Sequence, residues 1–193
     1  MNAATSSAGN FTSERLAIPD VVLVRSRKFR DARGYFVETY VEPAFRALGV
    51  ACRFVQDNHS MSASRGTIRG LHFQTPPHAQ AKLVRVLRGS IFDVAVDLRR
   101  DSPTYGRWCA ATLSADGGEA LFIPAGFAHG FCTLEPDAEV AYKVDNVYAP
   151  ECDGGLKWDD PALAIAWPLP HADILVSEKD GRLPSFMNFA SPF

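Results

Sequence analysis

The sequence predicts an all-β fold, a sandwich or barrel formed by one domain. Short runs rich in β-branched and aromatic residues recur from residue 21 onward, and turn residues such as glycine and proline separate them. Helical signal is confined to residues 43–49, with Pro43 in the first turn and Gly49 as the stop. The chain has 193 residues, which suits one domain with its own core. Many strands with almost no helix favour an all-β architecture.

The predicted strands follow from alternation and from the turns between them. The run at residues 91–98 alternates most clearly, because Phe92, Val94, Val96 and Leu98 share one face while Asp93 and Asp97 share the other. An Arg-Gly-Ser turn separates this run from the preceding one. In chain order the predicted strands are residues 21–24, 34–40, 83–87, 91–98, 108–113, 120–123, 129–134 and 140–147.

The charge balance is nearly neutral, with 20 lysine and arginine side chains against 22 aspartate and glutamate side chains, a net charge of −2. Such a balance gives no global attraction to nucleic acid or membranes, although a local cluster of cations can still bind a small anion. No apolar run approaches the roughly 20 residues that span a bilayer. The sequence therefore predicts neither a nucleic-acid nor a membrane partner.

The first residues are small and polar, and they lack the basic and apolar regions of a signal peptide. We expect residues 1–12 to be a disordered leader and residues 13–193 to be the single folded domain. The 4 cysteines show no paired spacing, so reduced thiols are expected. Together these observations predict a cytoplasmic protein.

His72 lies in an apparent strand, residues 65–74, two positions after a glycine. Arg69 precedes it closely, and Lys82 follows ten residues later. A histidine beside fixed positive charge can act as a base toward a carbon acid, because the cations stabilise the oxyanion that forms. The same spacing also resembles that of a metal-binding barrel. Both alternatives stay open on this segment alone.

Residues 124–129 have the spacing Pro-x-Gly-x-x-His after an apolar strand, and they resemble the second conserved motif of the cupin superfamily. A turn followed by a histidine that caps a sheet gives the same pattern. A metal-binding cupin would use a His-x-His pair and an acid, whereas residues 72–74 read His-Phe-Gln and Lys82 stands in the region of the acid. Glutamine is a poor ligand and an ammonium group repels a cation, so no metal is predicted.

Tyr142 and Asp180 are ambiguous by local pattern. Tyr142 shares a strand face with Val140 and Val144, where a tyrosine is usually part of the core. Asp180 ends a charged run, residues 177–180, of a kind that is usually solvated surface. A functional role for either residue therefore depends on the rest of the chain.

Motifs spread along nearly the whole chain bear on that role. They are residues 31–38, 56–60, 68–74, 76–85, 124–131, 148–151, 157–161 and 177–180. In sequence and in order they are similar to those of the dTDP-4-dehydrorhamnose 3,5-epimerase family. The resemblance implies a cupin-type jelly-roll β-barrel with few short helices, and an isomerase that needs no cofactor. Such an enzyme inverts C3 and C5 of dTDP-4-dehydro-6-deoxy-D-glucose through an enolate, giving dTDP-4-dehydro-L-rhamnose.

The resemblance also implies roles for individual residues. His72 would be the base and Asp180 its orienting carboxylate, while Tyr142 would donate a proton from the other face. Lys82 and Arg69 would stabilise the enolate oxygen. The implied catalytic residues are His72, Tyr142, Asp180 and Lys82, and the implied substrate-binding residues are Arg33, Glu38, Gln56, Asp57, Asn58, Arg69, Lys82, His129, Tyr148, Asp153 and Lys179.

Three of these positions carry further implications. Tyr148 matches the aromatic residue that stacks on the thymine ring. In this family the arginine and glutamate matched by Arg33 and Glu38 act across a dimer interface, so a homodimer is implied. Asp153 departs from the pattern, because many members have a glutamate there.

Other functions remain as alternatives. A related enzyme that inverts only C3 or only C5 of another dTDP-4-keto-6-deoxysugar shares the same base, so sequence separates it weakly. A metal-dependent cupin oxygenase would need the ligands that residues 72–74 lack. A binding module for a sugar or nucleotide would hold the ligand without exchanging its protons.

Overall fold

The computed structural model describes residues 5–193, which form two packed β-sheets and a small separate hairpin. The strands are β1 Thr5–Ala8, β2 Phe11–Arg15, β3 Val22–Ser26, β4 Lys28–Asp31, β5 Gly34–Val37, β6 Gln56–Ser62, β7 Ile68–Gln74, β8 Lys82–Arg88, β9 Ser90–Asp97, β10 Trp108–Ser114, β11 Glu119–Ile123, β12 Phe127–Thr133, β13 Ala138–Val144 and β14 Asp153–Gly155. The helices are α1 Glu42–Ala47 and α2 Glu178–Gly181, with 3-10 turns at Pro150–Cys152, His171–Asp173 and Phe186–Asn188. No helix within residues 5–193 is long and apolar enough to cross a membrane.

The chain passes back and forth between the two sheets. The seven-stranded sheet has the order β1-β2-β3-β11-β8-β13-β6, and the five-stranded sheet has the order β10-β9-β12-β7-β14. From β7 to β14 every connection changes sheet except the one between β9 and β10. Antiparallel strands that alternate between two sheets in this way form a jelly roll. The predicted all-β jelly-roll barrel with few short helices is confirmed.

A core of aliphatic and aromatic side chains holds the two sheets together. The seven-stranded sheet contributes Leu23, Val84, Val86, Leu121 and Val140, and the five-stranded sheet contributes Ile91, Ala95, Phe127 and Phe131. All of these side chains are buried. Full burial of one large aliphatic or aromatic side chain stabilises a fold by roughly 1.5–3 kcal/mol, so this layer is the main attachment between the sheets.

The predicted strands all overlap observed ones, and the predicted helix overlaps α1. The run predicted to residue 40 ends at Val37, and the run predicted to residue 147 ends at Val144. Sequence patterning missed β6, whose residues are nearly all polar and alternate between half-buried and exposed positions. Strands of that composition carry too little apolar contrast for periodicity to reveal them.

The predicted disordered leader is wrong for residues 5–12. Strands β1 and β2 pair as a hairpin, and β2 continues the seven-stranded sheet by pairing with β3. Phe11 is buried against Phe45, with ring centroids 5.0 Å apart. One large apolar residue among small polar ones gave no periodic signal, yet backbone pairing and the burial of Phe11 in a core cluster order the segment. The remainder of the predicted leader, residues 1–4, lies outside the described residues.

Both faces of β9 are buried. Its apolar face, including Val94 and Val96, packs beneath the C-terminal segment, which contributes Leu163 and Phe193. Asp93, on the opposite face, is also fully buried. The predicted alternation is correct, but the polar face of this strand points into the barrel, where a carboxylate takes part in a site.

Candidate active site

A cavity of about 550 Å³ opens between the two sheets, and residues from both sheets line it. Strands β7 and β12 form one wall, β8 and β13 form the other, and the segment that leads into α2 closes one side. The lining residues are Ser60, Thr67, Ile68, Arg69, His72, Lys82, His129, Phe131, Tyr142, Leu175, Val176, Ser177, Lys179 and Asp180. The structure therefore brings all of the predicted catalytic residues into one cavity.

His72 forms a hydrogen-bonded pair with Asp180. The distance from His72 Nε2 to Asp180 Oδ1 is 2.7 Å, and the Asp180 side chain is 6% exposed. Burial alone would raise the pKa of the Asp180 carboxyl, but the hydrogen bond and the charge of His72, with smaller contributions from the Gly70 and Ser177 contacts, lower it below its usual range. An ionised Asp180 fixes the proton on Nε2, which leaves Nδ1 free to accept another proton.

The position of Asp180 depends on local structure at its own helix. The Asp180 backbone N–H donates to Ser177 Oγ at 3.0 Å, so Ser177 caps the helix N-terminus. The backbone N–H of Gly70 donates to Asp180 Oδ2 at 3.3 Å. Charge spacing in residues 177–180 suggested solvated surface, whereas the structure buries this carboxylate against β7.

Lys82, from β8, faces the same cavity. Its Nζ lies 3.5 Å from the backbone oxygen of His72. Burial lowers the pKa of Lys82 to about 8, against the opposing attraction of Asp93 and Asp153. Near neutral pH most Lys82 side chains therefore still carry the ammonium charge, which can stabilise a developing oxyanion.

His129 pairs with a carboxylate that sequence reasoning did not assign to the site. The distance from His129 Nε2 to Asp93 Oδ1 is 2.6 Å, and Asp93 is fully buried. Burial lowers the pKa of His129 and outweighs the attraction of Asp93, so a neutral ring donates to this carboxylate. His129 and His72 are directly paired across β12 and β7. The available signal was an aspartate whose neighbours along the strand, Phe92 and Val94, are both apolar.

Tyr142 and Arg69 complete the cavity. Tyr142 belongs to β13 and is half-buried, and burial raises the pKa of its hydroxyl, partly opposed by Arg69. Arg69 Nε donates to Ser62 Oγ at 3.0 Å, and a terminal nitrogen donates to the backbone oxygen of Met61 at 2.9 Å. Ser62 is a second residue that sequence reasoning missed. Tyr142 packs partly against the core, as local pattern predicted, and it also lines the cavity.

A second cavity, of about 390 Å³, adjoins the first and shares His72, Lys82, Tyr142 and Lys179 with it. Its remaining lining residues are Gln56, Asn58, Phe73, Gln74, Gln80, Tyr148 and Asp153. The backbone N–H of Tyr148 donates to Gln56 Oε1 at 3.1 Å, while its ring is largely exposed. A surface aromatic ring fixed through its backbone can stack on a planar ligand group.

Lys179 and Asp153, both predicted to bind substrate, bind each other across the second cavity. The distance from Lys179 Nζ to Asp153 Oδ2 is 2.5 Å. This hydrogen bond is the main reason that the pKa of Lys179 lies above its usual value. An aspartate at position 153 therefore reaches the lysine in spite of its departure from the family pattern.

Gln74 clamps the loop that carries Tyr148. Gln74 is buried, its Nε2 donates to the backbone oxygens of His78 at 2.7 Å and Val147 at 3.2 Å, and its Oε1 accepts from the Ala149 N–H at 2.8 Å. Its amide is thus fully engaged at the position where a metal-binding cupin would have its second histidine. Within residues 5–193, no three histidine, cysteine, aspartate or glutamate side chains are grouped to hold a metal ion.

Three predicted substrate-binding residues line neither of these cavities. Arg33 lies at the tip of the β4–β5 hairpin, where its side chain is 91% exposed and pairs with Asp31 at 2.6 Å. Glu38 follows β5 and accepts a hydrogen bond from Asn10. Asp57 pairs with Lys143 at 2.8 Å on the outer surface, because alternation along β6 points it away from its neighbours Gln56 and Asn58. The structure does not bring these side chains to His72 within one chain.

Comparison with known proteins bears on the identity of this site. The family model described as dTDP-4-dehydrorhamnose 3,5-epimerase matches residues 15–188. A dTDP-4-dehydrorhamnose 3,5-epimerase from Sinorhizobium fredii is 53% identical over 180 residues, covering 93% of this chain and 92% of the relative. One from Pseudomonas aeruginosa is 53% identical over 173 residues, covering 89% and 94%.

A solved structure agrees with these matches. The dTDP-6-deoxy-D-glucose-3,5-epimerase from Legionella pneumophila, in complex with dTDP-4-keto-L-rhamnose, superposes with a TM-score of 0.88 at 39% identity. The match covers 93% of this chain and 95% of that one. The resemblance inferred from the motifs is confirmed, and the isomerase class with it. This chain belongs to the dTDP-4-dehydrorhamnose 3,5-epimerase family.

Proposed function

We propose that this chain inverts C3 and C5 of dTDP-4-dehydro-6-deoxy-D-glucose, with His72 as the base and Tyr142 as the proton donor. The observation that carries this proposal is the pairing of His72 with the buried Asp180 carboxylate, in one cavity together with Tyr142 and Lys82. The ketone at C4 acidifies the hydrogens on C3 and C5. Removal of either proton places negative charge on the C4 oxygen, where a cation can stabilise it.

The placement of the two acid–base groups supports inversion. His72 lies on β7 of the five-stranded sheet, and Tyr142 lies on β13 of the seven-stranded sheet, so the groups belong to opposite walls. A sugar ring held between them would lose a proton to one wall and gain a proton from the other. At each carbon one C–H bond breaks and one forms, with the electron pair held in the enolate between the two steps. The proposed reaction is redox-neutral and needs no cofactor.

The second cavity supports a site for the nucleotide. Tyr148 offers an exposed ring for the thymine base, and Gln56 and Asn58 offer amide groups beside it. Lys179 lies in both cavities, at the junction where the diphosphate would connect base and sugar. The solved relative from Legionella pneumophila binds a dTDP-sugar, which agrees with this assignment. A nucleotide sugar as substrate also favours the cytoplasm as its location.

The β4–β5 hairpin supports a homodimer. It presents Phe29, Tyr35 and Phe36 as exposed aromatic side chains, with Phe36 66% exposed. It also carries Arg33 away from the cavities of its own chain. Docking of the hairpin on a second copy would bury the aromatic rings and bring Arg33 and Glu38 to the partner's site.

Sedimentation of the protein is therefore expected to give a species of twice the chain mass. A charge at position 36 would be buried in such an interface, so Phe36→Asp is expected to yield the single-chain mass. A monomeric parent protein would contradict the dimer.

Heavy water tests the reaction itself. Incubation of the protein with dTDP-4-dehydro-6-deoxy-D-glucose in D₂O is expected to place deuterium at both C3 and C5, because each carbon exchanges its proton through the enolate. NMR of the product, trapped by reduction of the 4-keto group, identifies both the labelled carbons and their configuration. Exchange at one carbon would indicate a single epimerase, and exchange at neither would contradict the proposal.

A further inference from the structure

The N-terminal hairpin, residues 5–15, lies almost entirely outside the matched family region, which begins at residue 15. It is nevertheless firmly attached to the barrel. Strand β2 pairs with β3 along its whole length, and Phe11 is buried beside Phe45. The hairpin is thus an ordered element of this chain, and it contacts residues within the matched region.

The turn of the hairpin reaches Glu38 through Asn10. The Asn10 side-chain Nδ2 donates to Glu38 Oε2 at 2.7 Å, across 28 positions of sequence. The Asn10 backbone oxygen accepts from the Arg27 N–H at 2.8 Å, which fixes the turn itself. Asn10 is therefore held at its backbone and binds the carboxylate with its side chain.

This contact has a definite consequence for Glu38. One carboxylate oxygen accepts from a neutral donor, and the other oxygen is left for another ligand. A glutamate side chain that is already fixed loses less rotamer freedom when it binds. A charge-assisted hydrogen bond is strong enough to hold it in this way.

We propose that Asn10 is a positioning residue, which makes the N-terminal hairpin a support for Glu38 and so a determinant of substrate affinity. This inference rests on the proposed function, in which Glu38 contacts the dTDP-sugar from the neighbouring chain. It assigns to the hairpin an effect on KM and none on the proton transfers, because His72 and Tyr142 lie elsewhere.

Asn10→Ala is expected to raise the KM for the dTDP-sugar about three- to tenfold with kcat unchanged, since a hydrogen bond to a charged group is lost. Asn10→Asp is expected to raise it further, because two carboxylates would then face each other. Thr12→Ala is the matched control, since Thr12 is exposed on the adjacent strand. That variant is expected to keep the parent KM.

A double-mutant cycle separates positioning from mere support of the fold. In a Glu38→Gln background, Asn10→Ala is expected to change KM much less than in the parent, and Asn10→Asp is expected to lower KM. The reason is that the glutamine amide introduced at position 38 can donate to an aspartate at position 10, so donor and acceptor are exchanged. A purely structural role of the hairpin would give equal effects in both backgrounds and would overturn the proposal.

The outcomes also distinguish this inference from the proposed function. If the parent exchanges deuterium at both carbons and Glu38→Gln raises KM, but Asn10→Ala does not, the positioning role fails alone. If Glu38→Gln leaves KM unchanged, the positioning role fails together with the substrate contact of Glu38. If the parent exchanges neither carbon, the proposed reaction itself fails.

Discussion

His72→Ala is expected to lower the rate of deuterium incorporation at both C3 and C5 by about 10²–10⁴-fold, the usual contribution of a general base. Both carbons lose their exchange together because one imidazole serves both proton removals. NMR of the dTDP-sugar in D₂O, at saturating substrate, measures the two rates in one sample. Loss of exchange at one carbon only would assign the other carbon to a different base.

The stability of this variant needs its own measurement. Removal of the imidazole leaves the buried Asp180 carboxylate with fewer partners, at a cost of about 1–3 kcal/mol. His72→Gln places an amide donor near the position of Nε2, where it can bind Asp180 without acting as a base, so it is expected to melt closer to the parent and to remain inactive. Activity in a folded His72→Gln variant would contradict the assignment.

Tyr142→Phe provides the matched contrast within the same cavity. This variant keeps the ring and removes only the proton donor, so deuterium exchange is expected to continue. His72 would exchange its proton with the solvent and deliver a deuteron to the same face from which it removed the proton. The label would then appear in substrate of unchanged configuration. Efficient inversion by Tyr142→Phe would show that the second proton comes from another group.

Lys82 is expected to set the alkaline limit of activity. Burial lowers the pKa of Lys82 to about 8, and only the protonated form can stabilise the enolate oxygen. The kcat/KM value is therefore expected to fall about tenfold per pH unit above about pH 8, since kcat/KM follows the free enzyme. Tyr142 must also be protonated, but burial raises the pKa of that hydroxyl, so it titrates later.

Substitution of Lys82 separates charge from position. Lys82→Met is expected to lower kcat/KM by about 10²–10³-fold at neutral pH, the effect of removing one oxyanion donor. Lys82→Arg keeps a charge that does not titrate in this range, so its alkaline limit is expected to shift upward even if its rate is lower. An unchanged alkaline limit in Lys82→Arg would assign the titration to a different group. The measurement is kcat/KM in an assay in which a reductase traps the product by reducing its 4-keto group, with that reductase in excess at each pH.

Much of this site could be predicted from the sequence, because its motifs are contiguous and occur in a fixed order. Local pattern failed where a role depends on packing between distant segments. Asp180 belongs to a charged run and is buried only because α2 packs against β7. Asp93 lies on the polar face of β9, and no local rule indicates that both faces of this strand are covered.

The errors at the N-terminus and at β6 have a related cause. Residues 5–8 and β6 contain few apolar side chains, so their strand structure depends on pairing with neighbouring strands. Such pairing is a tertiary property, which composition does not reveal. Gln74 is a different case, because its residue type already indicated a poor metal ligand, while its hydrogen bonds to the Tyr148 loop became visible only in the structure.

The alternation of the chain between the two sheets has a consequence for how activity arises during folding. The proposed base His72 and its neighbour His129 belong to one sheet, and the proposed donor Tyr142 and Lys82 belong to the other. Neither sheet alone carries both His72 and Tyr142. The contacts between the sheets join residues that are far apart in sequence, and such contacts form slowly during folding. With the proposed roles, catalysis therefore requires the closed barrel. Changes that loosen the packing between the sheets would abolish turnover while the strands themselves remain paired.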